Sequence, residues 1–284
     1  MGYKKGLVLE GGAMRGIFTC GVIDVFMENG IEFDGVVGVS AGACFGCNVK
    51  SEQIGRAYRY SRKYGSDYRY GSFKSFFKTG DMYDYDFCYN ILPFELDVFD
   101  SETYKNSPKE FHIVATDVNT GESVYHVSKG DIREDLEWIR ASASMPLVSN
   151  IVHIGDKELL DGGMADAMPL KYFEDCGYNR NVVILTQPLE YRKKKNKLMP
   201  LIRMKYSKHK GIVHAMDIRH IMYNEQLDYI ANKEATGEVI VIRPPKPLNI
   251  GKTEKNPLKY DEAYETGRRV GEEYLERVKA FLKE

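Results

Sequence analysis

The chain has 284 residues, 43% of them hydrophobic, with 40 Lys and Arg against 41 Asp and Glu. This is ordinary globular composition, and the length is sufficient to bury a large core. A formal net charge of −1 provides no overall positive field to attract nucleic acid, and no apolar run approaches the roughly 20 residues of a transmembrane segment.

The first 30 residues predict a strand, a turn and a helix. Residues 6–10 form a short apolar run typical of a buried strand, and residues 11–16 are a glycine-rich turn. Residues 17–27 are apolar nearly all round, which predicts a buried rather than a half-exposed helix. Asn29 and Gly30 then give a good signal for its C-terminal end.

Residues 34–42 predict a second strand that turns sharply into a helix. The run Asp-Gly-Val-Val-Gly-Val-Ser-Ala-Gly ends in Gly-x-Ser-x-Gly, the pattern that places a serine on the bend, here Ser40. Gly38 and Gly42 remove the side chains that would crowd so tight a turn. The N-terminus of the following helix offers free N–H groups to a negative charge. Ser40 is therefore the candidate nucleophile.

Aromatic side chains dominate the next segment, which we predict to be an insertion or cap at about residues 58–105. Tyrosines and phenylalanines alternate there with charges, and the periodicity is poor. The aromatic side chains either pack an irregular subdomain or shelter an apolar substrate, and the two roles are compatible.

The remainder of the chain continues the alternation of strands and helices. The predicted elements are strands at 111–118 and 122–127, a helix at 132–143, a hairpin at 151–160, a helix at 168–176, strands at 181–187 and 238–243, and helices at 211–234 and from 260. This pattern predicts an α/β fold with a mainly parallel sheet. We expect one domain over residues 1–284 because no flexible linker or repeat interrupts the pattern.

One stretch, residues 190–210, has a strong charge bias, with nine Lys and Arg against Glu190 alone. Such a stretch is either a solvated basic face or a surface that contacts anionic lipid headgroups. The second interpretation predicts a peripheral contact with a membrane.

A serine hydroxyl needs a base before it acts as a nucleophile. Asp161 closes the predicted hairpin and precedes two glycines, so its carboxylate can lie at the sheet edge beside Ser40. An aspartate of ordinary pKa, about 3.9, is a weak base, but burial would raise that pKa. Two alternatives stay open, since His153 is another candidate base and Asp-Gly-Gly is often only a turn.

If the base is weak, stabilisation of the oxyanion has to contribute more to the lowering of the reaction barrier. Backbone N–H groups of Gly12, Ala13 and Ala41 can converge there, with Gly11 in the same turn. Arg15 either adds positive charge or binds a carboxylate and braces the turn. The turn lacks the Gly-x-Gly-x-x-Gly pattern of dinucleotide-binding proteins, and no cofactor is predicted.

Five scattered cysteines predict reduced thiols and a cytoplasmic location. Cys44 and Cys47 form the only Cys-x-x-Cys pair in the sequence, with no second pair and no histidine at ligand spacing. Small buried side chains therefore account for them better than a metal site does, and no metal is predicted.

Four segments of the sequence, in this order, resemble the patatin-like phospholipase family. They are residues 11–16, 38–42, 141–146 (Ala-Ser-Ala-Ser-Met-Pro) and 161–163. The resemblance implies a three-layer α/β/α fold, lipid acyl-ester hydrolysis without a metal, and a Ser–Asp dyad without histidine. It makes Ser40 the nucleophile and Asp161 the general base. The family usually has a third glycine at Ala13. Alanine keeps the N–H donor but would cost about 1 kcal/mol if the backbone needs a positive φ.

The sequence therefore predicts a serine hydrolase that cleaves phospholipids or other long-chain acyl esters through an acyl-enzyme. The alternative is a non-catalytic or weakly active lipid-binding or regulatory protein on the same scaffold, which Ala13 alone favours. Acyl transfer to an acceptor other than water also stays open.

Overall fold

The computed structural model describes residues 3–283, and in this part of the chain eight strands form one sheet. The strands are β1 (Lys4–Leu9), β2 (Gly35–Val39), β3 (Glu110–Asp117), β4 (Ser123–Val127), β5 (Val152–Ile154), β6 (Lys157–Asp161), β7 (Tyr178–Ile184) and β8 (Val239–Ile242). Hydrogen-bonded pairs connect them in the series β5-β6-β3-β2-β1-β7-β8, and β4 also pairs with β3. The four pairings that link β3, β2, β1, β7 and β8 are parallel, which confirms the prediction of a mainly parallel sheet.

Helices cover both faces of the sheet. They are α1 (Gly16–Glu28), α2 (Ala41–Lys50), α3 (Arg56–Tyr64), α4 (Phe73–Thr79), α5 (Ser101–Asn106), α6 (Ile132–Ala143), α7 (Leu170–Asp175), α8 (Met199–Lys205), α9 (Lys210–Ala235) and α10 (Pro257–Lys283). One hydrophobic cluster joins the sheet to α1, α2, α6 and α10, and a second joins its other face to α7 and α9. The predicted three-layer α/β/α arrangement is confirmed.

Alternating residues of the strands belong to the two hydrophobic clusters. Leu7 and Leu9 of β1 pack with α1, whereas Val8, between them, packs with α7. Both faces of the central strands are thus covered, and so these strands are apolar along their whole length instead of alternating with polar residues.

Helix α1 is buried as its sequence predicts, because it lies between the sheet and α10. Eleven of its residues are buried, and the two helices touch backbone to backbone. A Cβ atom on Gly21 would lie 2.3 Å from the carbonyl oxygen of Tyr264, and one on Gly267 would lie 2.0 Å from that of Phe18. The absence of side chains at these two glycines is what permits the approach.

The predicted insertion contains α3, α4, α5 and a π-helical segment, Phe87–Leu96, with Pro93 inside it. Its aromatic side chains pack onto α1 and α10, as in the contacts of Tyr60 and Phe87 within a cluster that includes Ile17 and Tyr264. Some of the same side chains also line a cavity beside Ser40, and their role in sheltering an apolar substrate remains a prediction.

The basic stretch contains α8, a short helix that its sequence pattern does not predict. Met199 and Ile202 bury one face of α8 against Leu160 and Met164, while Leu201 and Met204 remain exposed. None of the helices within residues 3–283 combines the length and the apolar character needed to cross a bilayer.

Candidate active site

Two strands that approach from opposite directions bring Ser40 and Asp161 together. Strand β2 ends with Val39 paired to Val114 of β3, and the antiparallel β6 ends with Asp161 paired to Ala115. Strand β4 pairs with Val114 and Ala115 along one edge of β3. Strands β2 and β6 therefore both lie along the other edge of β3, where they meet end to end. The Ser40 hydroxyl donates a hydrogen bond of 2.7 Å to Oδ2 of Asp161.

Ser40 lies on a strained turn between β2 and α2. Its backbone has φ 55 and ψ −121, a conformation that costs a residue with a side chain about 1–3 kcal/mol. A Cβ atom on Gly38 would lie 2.5 Å from the Gly42 carbonyl oxygen, and one on Gly42 would lie 2.4 Å from that of Leu9. The two glycines of the Gly-x-Ser-x-Gly pattern are thus needed for close backbone approach.

Residues of the segment 141–146 accept hydrogen bonds from the backbone amides of both Ser40 and Asp161. The Ser142 hydroxyl accepts a hydrogen bond of 2.8 Å from the Ser40 amide, and the Ser144 carbonyl accepts one of 2.9 Å from the Asp161 amide. The hydroxyl of Thr116 on β3 donates to the Asp161 carbonyl at 2.9 Å. Neighbouring elements therefore fix the backbones of both residues.

The Asp161 carboxylate is buried, with 5% of the residue exposed. Burial raises its pKa above the usual value, and this effect is opposed by the nearby Arg219 charge and by hydrogen bonds from Ser40 and Gly163. The Gly163 amide donates to Oδ1 at 2.8 Å, which leaves Oδ2 for the serine hydroxyl. A carboxylate with a raised pKa is a stronger base, and this one points at the hydroxyl.

The glycine-rich turn passes directly beside Ser40. A Cβ atom on Gly11 would lie 2.9 Å from that of Ser40. The amides of Gly12, Ala13 and Ala41 donate to no acceptor within residues 3–283, so they are free for a ligand. These residues border the cavities that meet at Ser40.

Ala13 has φ 51, in the left-handed region. This position therefore needs the positive φ for which glycine is best suited, and the alanine methyl costs about 1–2 kcal/mol there. Arg15 forms no ion pair with a carboxylate in the part of the chain that the structure describes, and its Nε atom is buried without a partner. The bracing role considered for Arg15 is not seen, and its charge faces the cleft.

His153 is not close to the pair. It lies on β5 with 66% of its side chain exposed, and its Nδ1 atom is 3.8 Å from a carboxylate oxygen of Glu158. Across residues 3–283, no histidine forms a hydrogen bond with Ser40. The geometry thus favours Asp161 over His153 as the partner of the serine.

Three residues near the pair belong to none of the sequence motifs: Glu10, Arg219 and Tyr223. The buried Glu10 carboxylate accepts hydrogen bonds from the Thr186 amide at 2.5 Å and from the Tyr223 hydroxyl, which ties the turn after β1 to β7 and α9. Arg219 of α9 donates through Nε to the Gly163 carbonyl at 2.6 Å. An acidic residue at the end of an apolar strand is the one signal that marks Glu10 in advance.

Two cavities meet at Ser40. The first is narrow, about 100 Å³, and mostly apolar, with lining residues from α2, α6 and the aromatic insertion, among them Phe45, Tyr60, Tyr89, Leu92, Leu136 and Ile139. The second is a wide cleft of about 940 Å³ on the other side. Eight basic residues line it: Arg15, Arg192, Lys193, Lys194, Lys195, Lys197, Arg219 and Lys252. Within the described residues, no three His, Cys, Asp or Glu side chains are grouped so as to hold a metal ion.

Known proteins are similar in sequence to this chain over most of its length. The family model described as patatin-like phospholipase matches residues 7–174, and one described as a domain of unknown function (DUF6363) matches residues 209–283. The uncharacterized protein YjjU of Escherichia coli is 28% identical over 98% of this chain and 79% of its own length.

Fungal lysophospholipases are among the other relatives. Those of Aspergillus terreus and Kluyveromyces lactis, named nte1 and NTE1, are each 25% identical over 98% of this chain, which spans only 18% and 19% of their lengths. Among solved structures, VipD from Legionella pneumophila aligns with a TM-score of 0.49 and 13% identity over 96% of this chain and 67% of its own. Since the patatin model matches more than half of the chain, the chain belongs to the patatin-like phospholipase family, a family of lipid-hydrolysing enzymes.

Proposed function

We propose that the chain is a serine hydrolase that cleaves lipid acyl esters with a Ser40–Asp161 dyad. The observation that carries the proposal is the 2.7 Å hydrogen bond from a serine on a strained turn to a buried carboxylate. The residue types, their geometry and the family support the same chemistry.

The reaction proceeds in two halves. Asp161 accepts the hydroxyl proton while Ser40 Oγ attacks the ester carbonyl carbon, and the free amides of Gly12, Ala13 and Ala41 stabilise the oxyanion that forms. The carbon–oxygen bond to the alcohol then breaks, and the alcohol leaves with the proton from Asp161. In the second half a water molecule gives its proton to Asp161, attacks the acyl-enzyme and releases the fatty acid, and the proton returns to Ser40.

The narrow apolar cavity is the proposed site of the acyl chain. It begins at Ser40 and continues between α2, α6 and the aromatic insertion. Each methylene group transferred from water to such a site contributes about 0.8 kcal/mol, so every methylene that enters the cavity adds to the binding energy.

Substitution of the dyad tests this proposal. Ser40→Ala is expected to abolish turnover of p-nitrophenyl esters and labelling by a fluorophosphonate, and Asp161→Asn to reduce turnover at least 100-fold without loss of the far-UV circular dichroism spectrum. His153→Ala is the matched control, because His153 is exposed and remote from the pair. Unchanged turnover in Ser40→Ala refutes the mechanism, and loss of turnover in His153→Ala alone refutes the assignment of the base.

A non-catalytic lipid-binding protein is the second candidate function, and the strained φ of Ala13 favours it. Lipid vesicles that co-sediment with a protein whose Ser40 is never labelled would support that alternative. Acyl transfer shares the first half of the reaction, and product analysis with added lysolipid or alcohol separates it from hydrolysis.

We also propose that residues 190–210 contact the membrane surface that holds the substrate. The exposed apolar side chains Leu201 and Met204 of α8 lie among basic residues of this stretch. A basic surface with exposed apolar side chains is the combination that binds anionic lipid interfaces.

A further inference from the structure

We infer that the wide cleft beside Ser40 binds the phosphate headgroup of an anionic acyl lipid, and that residues outside the patatin-matched region build most of this site. The inference rests on the proposed function, since it assigns the part of the substrate that does not enter the apolar cavity. Four of the eight basic residues that line the cleft lie close to one another and carry the inference: Arg15, Lys193, Arg219 and Lys252.

These four cations have no counter-ion within residues 3–283, since none of them lies within 4.0 Å of a carboxylate oxygen there. Two exposed basic residues of the same region are paired instead: Arg192, at the edge of the cleft, with Asp228 at 3.0 Å, and Arg203 with Asp217 at 3.1 Å. The four cations named above thus remain free for an anionic ligand.

The acidic groups in the cleft do not act as counter-ions for these four cations. Glu10 is occupied by its hydrogen bonds from Thr186 and Tyr223, and Asp161 by those from Ser40 and Gly163. The third lining carboxylate, that of Glu190, is exposed. Four cations therefore surround a space in which both buried carboxylates are already engaged.

Lys193 is held in place and is not a freely moving surface side chain. Its backbone amide donates to the Asn224 side chain at 2.9 Å, and its carbonyl accepts from the same amide group at 3.1 Å. Its ammonium lies 4.2 Å from the centre of the Tyr223 ring. Burial, together with the charge of Arg219, lowers the pKa of Lys193 to about 8. Keeping an ammonium there without a counter-ion is unfavourable, and a bound anion relieves that cost.

The position of the cleft relative to the apolar cavity identifies the anion. Ala13, Ser40 and Met145 border both spaces, so an ester carbonyl at Ser40 directs its acyl chain into one and its alcohol portion into the other. In a lipid with a glycerol phosphate headgroup, the phosphate lies only a few bonds from the ester. Ammonium and guanidinium groups bind phosphate through charge-assisted hydrogen bonds, which are stronger than neutral ones.

This inference gives the C-terminal segment a role in the active site. Arg219 and Lys252 both lie within residues 209–283, the part matched by the family of unknown function, and Lys193 lies between the two matched regions. Only Arg15 belongs to the patatin-matched part. Headgroup preference is thus expected to depend mostly on residues outside the patatin-matched region.

Binding to the Ser40→Ala variant tests the inference without relying on turnover. Isothermal titration calorimetry would compare monomeric 1-palmitoyl lysophosphatidate, 1-palmitoyl lysophosphatidylcholine and glycerol 3-phosphate. We expect lysophosphatidate to bind at least 10-fold more tightly than lysophosphatidylcholine. Adding Lys193→Gln or Lys252→Gln is expected to bring this ratio close to 1. Lys255→Gln is the matched control, because Lys255 is exposed, close in sequence to Lys252 and not part of the cleft.

Each other outcome overturns the inference. Equal affinity of Ser40→Ala for the two lipids would refute the headgroup preference. An unchanged ratio of the two affinities in both lysine variants would refute the assignment of Lys193 and Lys252 to the site. Glycerol 3-phosphate that binds as tightly as lysophosphatidate shows a site for soluble phosphate esters and not for a lipid headgroup. Failure of the hydrolase proposal appears separately, as absence of ester turnover in the unsubstituted protein.

Discussion

Ala13 occupies a backbone position that favours glycine. Its φ of 51 places it in the left-handed region, where a Cβ atom costs about 1–2 kcal/mol. Ala13→Gly removes that strain but adds about 0.5–1 kcal/mol of chain entropy to the unfolded state. We expect the free energy of unfolding, measured by urea denaturation, to rise by about 0.5–1 kcal/mol, and ester turnover to be retained or increased.

Ala165→Gly is the control for this substitution. Ala165 has φ −104, so glycine relieves no strain there and should lower the free energy of unfolding. A loss of stability in Ala13→Gly equal to that of the control would show that the turn does not hold Ala13 in a strained conformation.

Arg219 is expected to set the pH range in which the base works. Its positive charge lowers the pKa of Asp161, which burial raises. Removing the charge in Arg219→Gln therefore raises the Asp161 pKa further. Since the base acts in its ionised form, activity is lost as the pH falls through that pKa. The acidic limb of the kcat/KM profile should thus move to higher pH.

Arg203→Gln supplies the comparison, because Arg203 is an exposed residue of α8 that is paired with Asp217. Its profile should keep the acidic limb of the unsubstituted protein. If Arg219→Gln lowers activity by the same factor at every pH, Arg219 only supports the turn at Gly163 and does not tune the base.

The residues that carry a local pattern were predictable, and those that depend on distant packing were not. The tight turn at Ser40 and the carboxylate at a strand end before two glycines are visible in the sequence as glycines at fixed spacing. Arg219 reaches Gly163 across 56 residues, and Tyr223 reaches Glu10 across 213, with no local signal. The roles of Ser40 and Asp161 remain predictions that the substitutions above will test.

Among the helices and strands, α8 is the one whose exposed face we expect to contact a membrane surface. Met204 is 71% exposed and Leu201 49%, although both are apolar and close to basic side chains. Burying one such side chain in a lipid interface contributes about 1.5–3 kcal/mol. Met204→Glu is therefore expected to weaken co-sedimentation with vesicles that contain anionic lipid by about 10-fold or more.

Leu258→Glu tests whether any exposed apolar residue would behave in the same way. Leu258 is 68% exposed in the first turn of α10, outside the basic stretch. This variant should sediment like the unsubstituted protein. Equal effects of the two substitutions, or none from Met204→Glu, would favour the interpretation of residues 190–210 as a solvated basic face.

Elements with a regular pattern were predicted within a few residues, whereas the π-helical segment and α8 were missed. Strand β2 and helix α1 have strongly apolar sequences bounded by glycines, so their limits are visible. The π-helical segment Phe87–Leu96 departs from the 3.6-residue period and contains a proline, which removes the helical signal. Helix α8 has only seven residues, too few for periodicity to distinguish it from a loop.

At the scale of the molecule, the C-terminal segment packs into the body that holds the dyad. Strand β8 extends the sheet next to β7, α10 packs against α1, and α9 contributes Tyr223 and Arg219 to the site. We therefore propose that the chain folds as one domain, even though two family models divide it. A single cooperative unfolding transition is the expected signature of such a domain.

Gly267→Ala tests that proposal where the two matched regions meet. The added methyl would lie 2.0 Å from the backbone oxygen of Phe18, which is fully buried, so α10 must shift away from α1. Overpacking of this kind typically costs about 1–3 kcal/mol. We expect the midpoint of thermal unfolding to fall by several degrees, equally for far-UV circular dichroism and for fluorophosphonate labelling of Ser40. Glu265→Ala, two residues away and exposed, should change neither midpoint. Labelling that survives after α10 has unfolded would instead show that the dyad-bearing region is stable without the C-terminal segment.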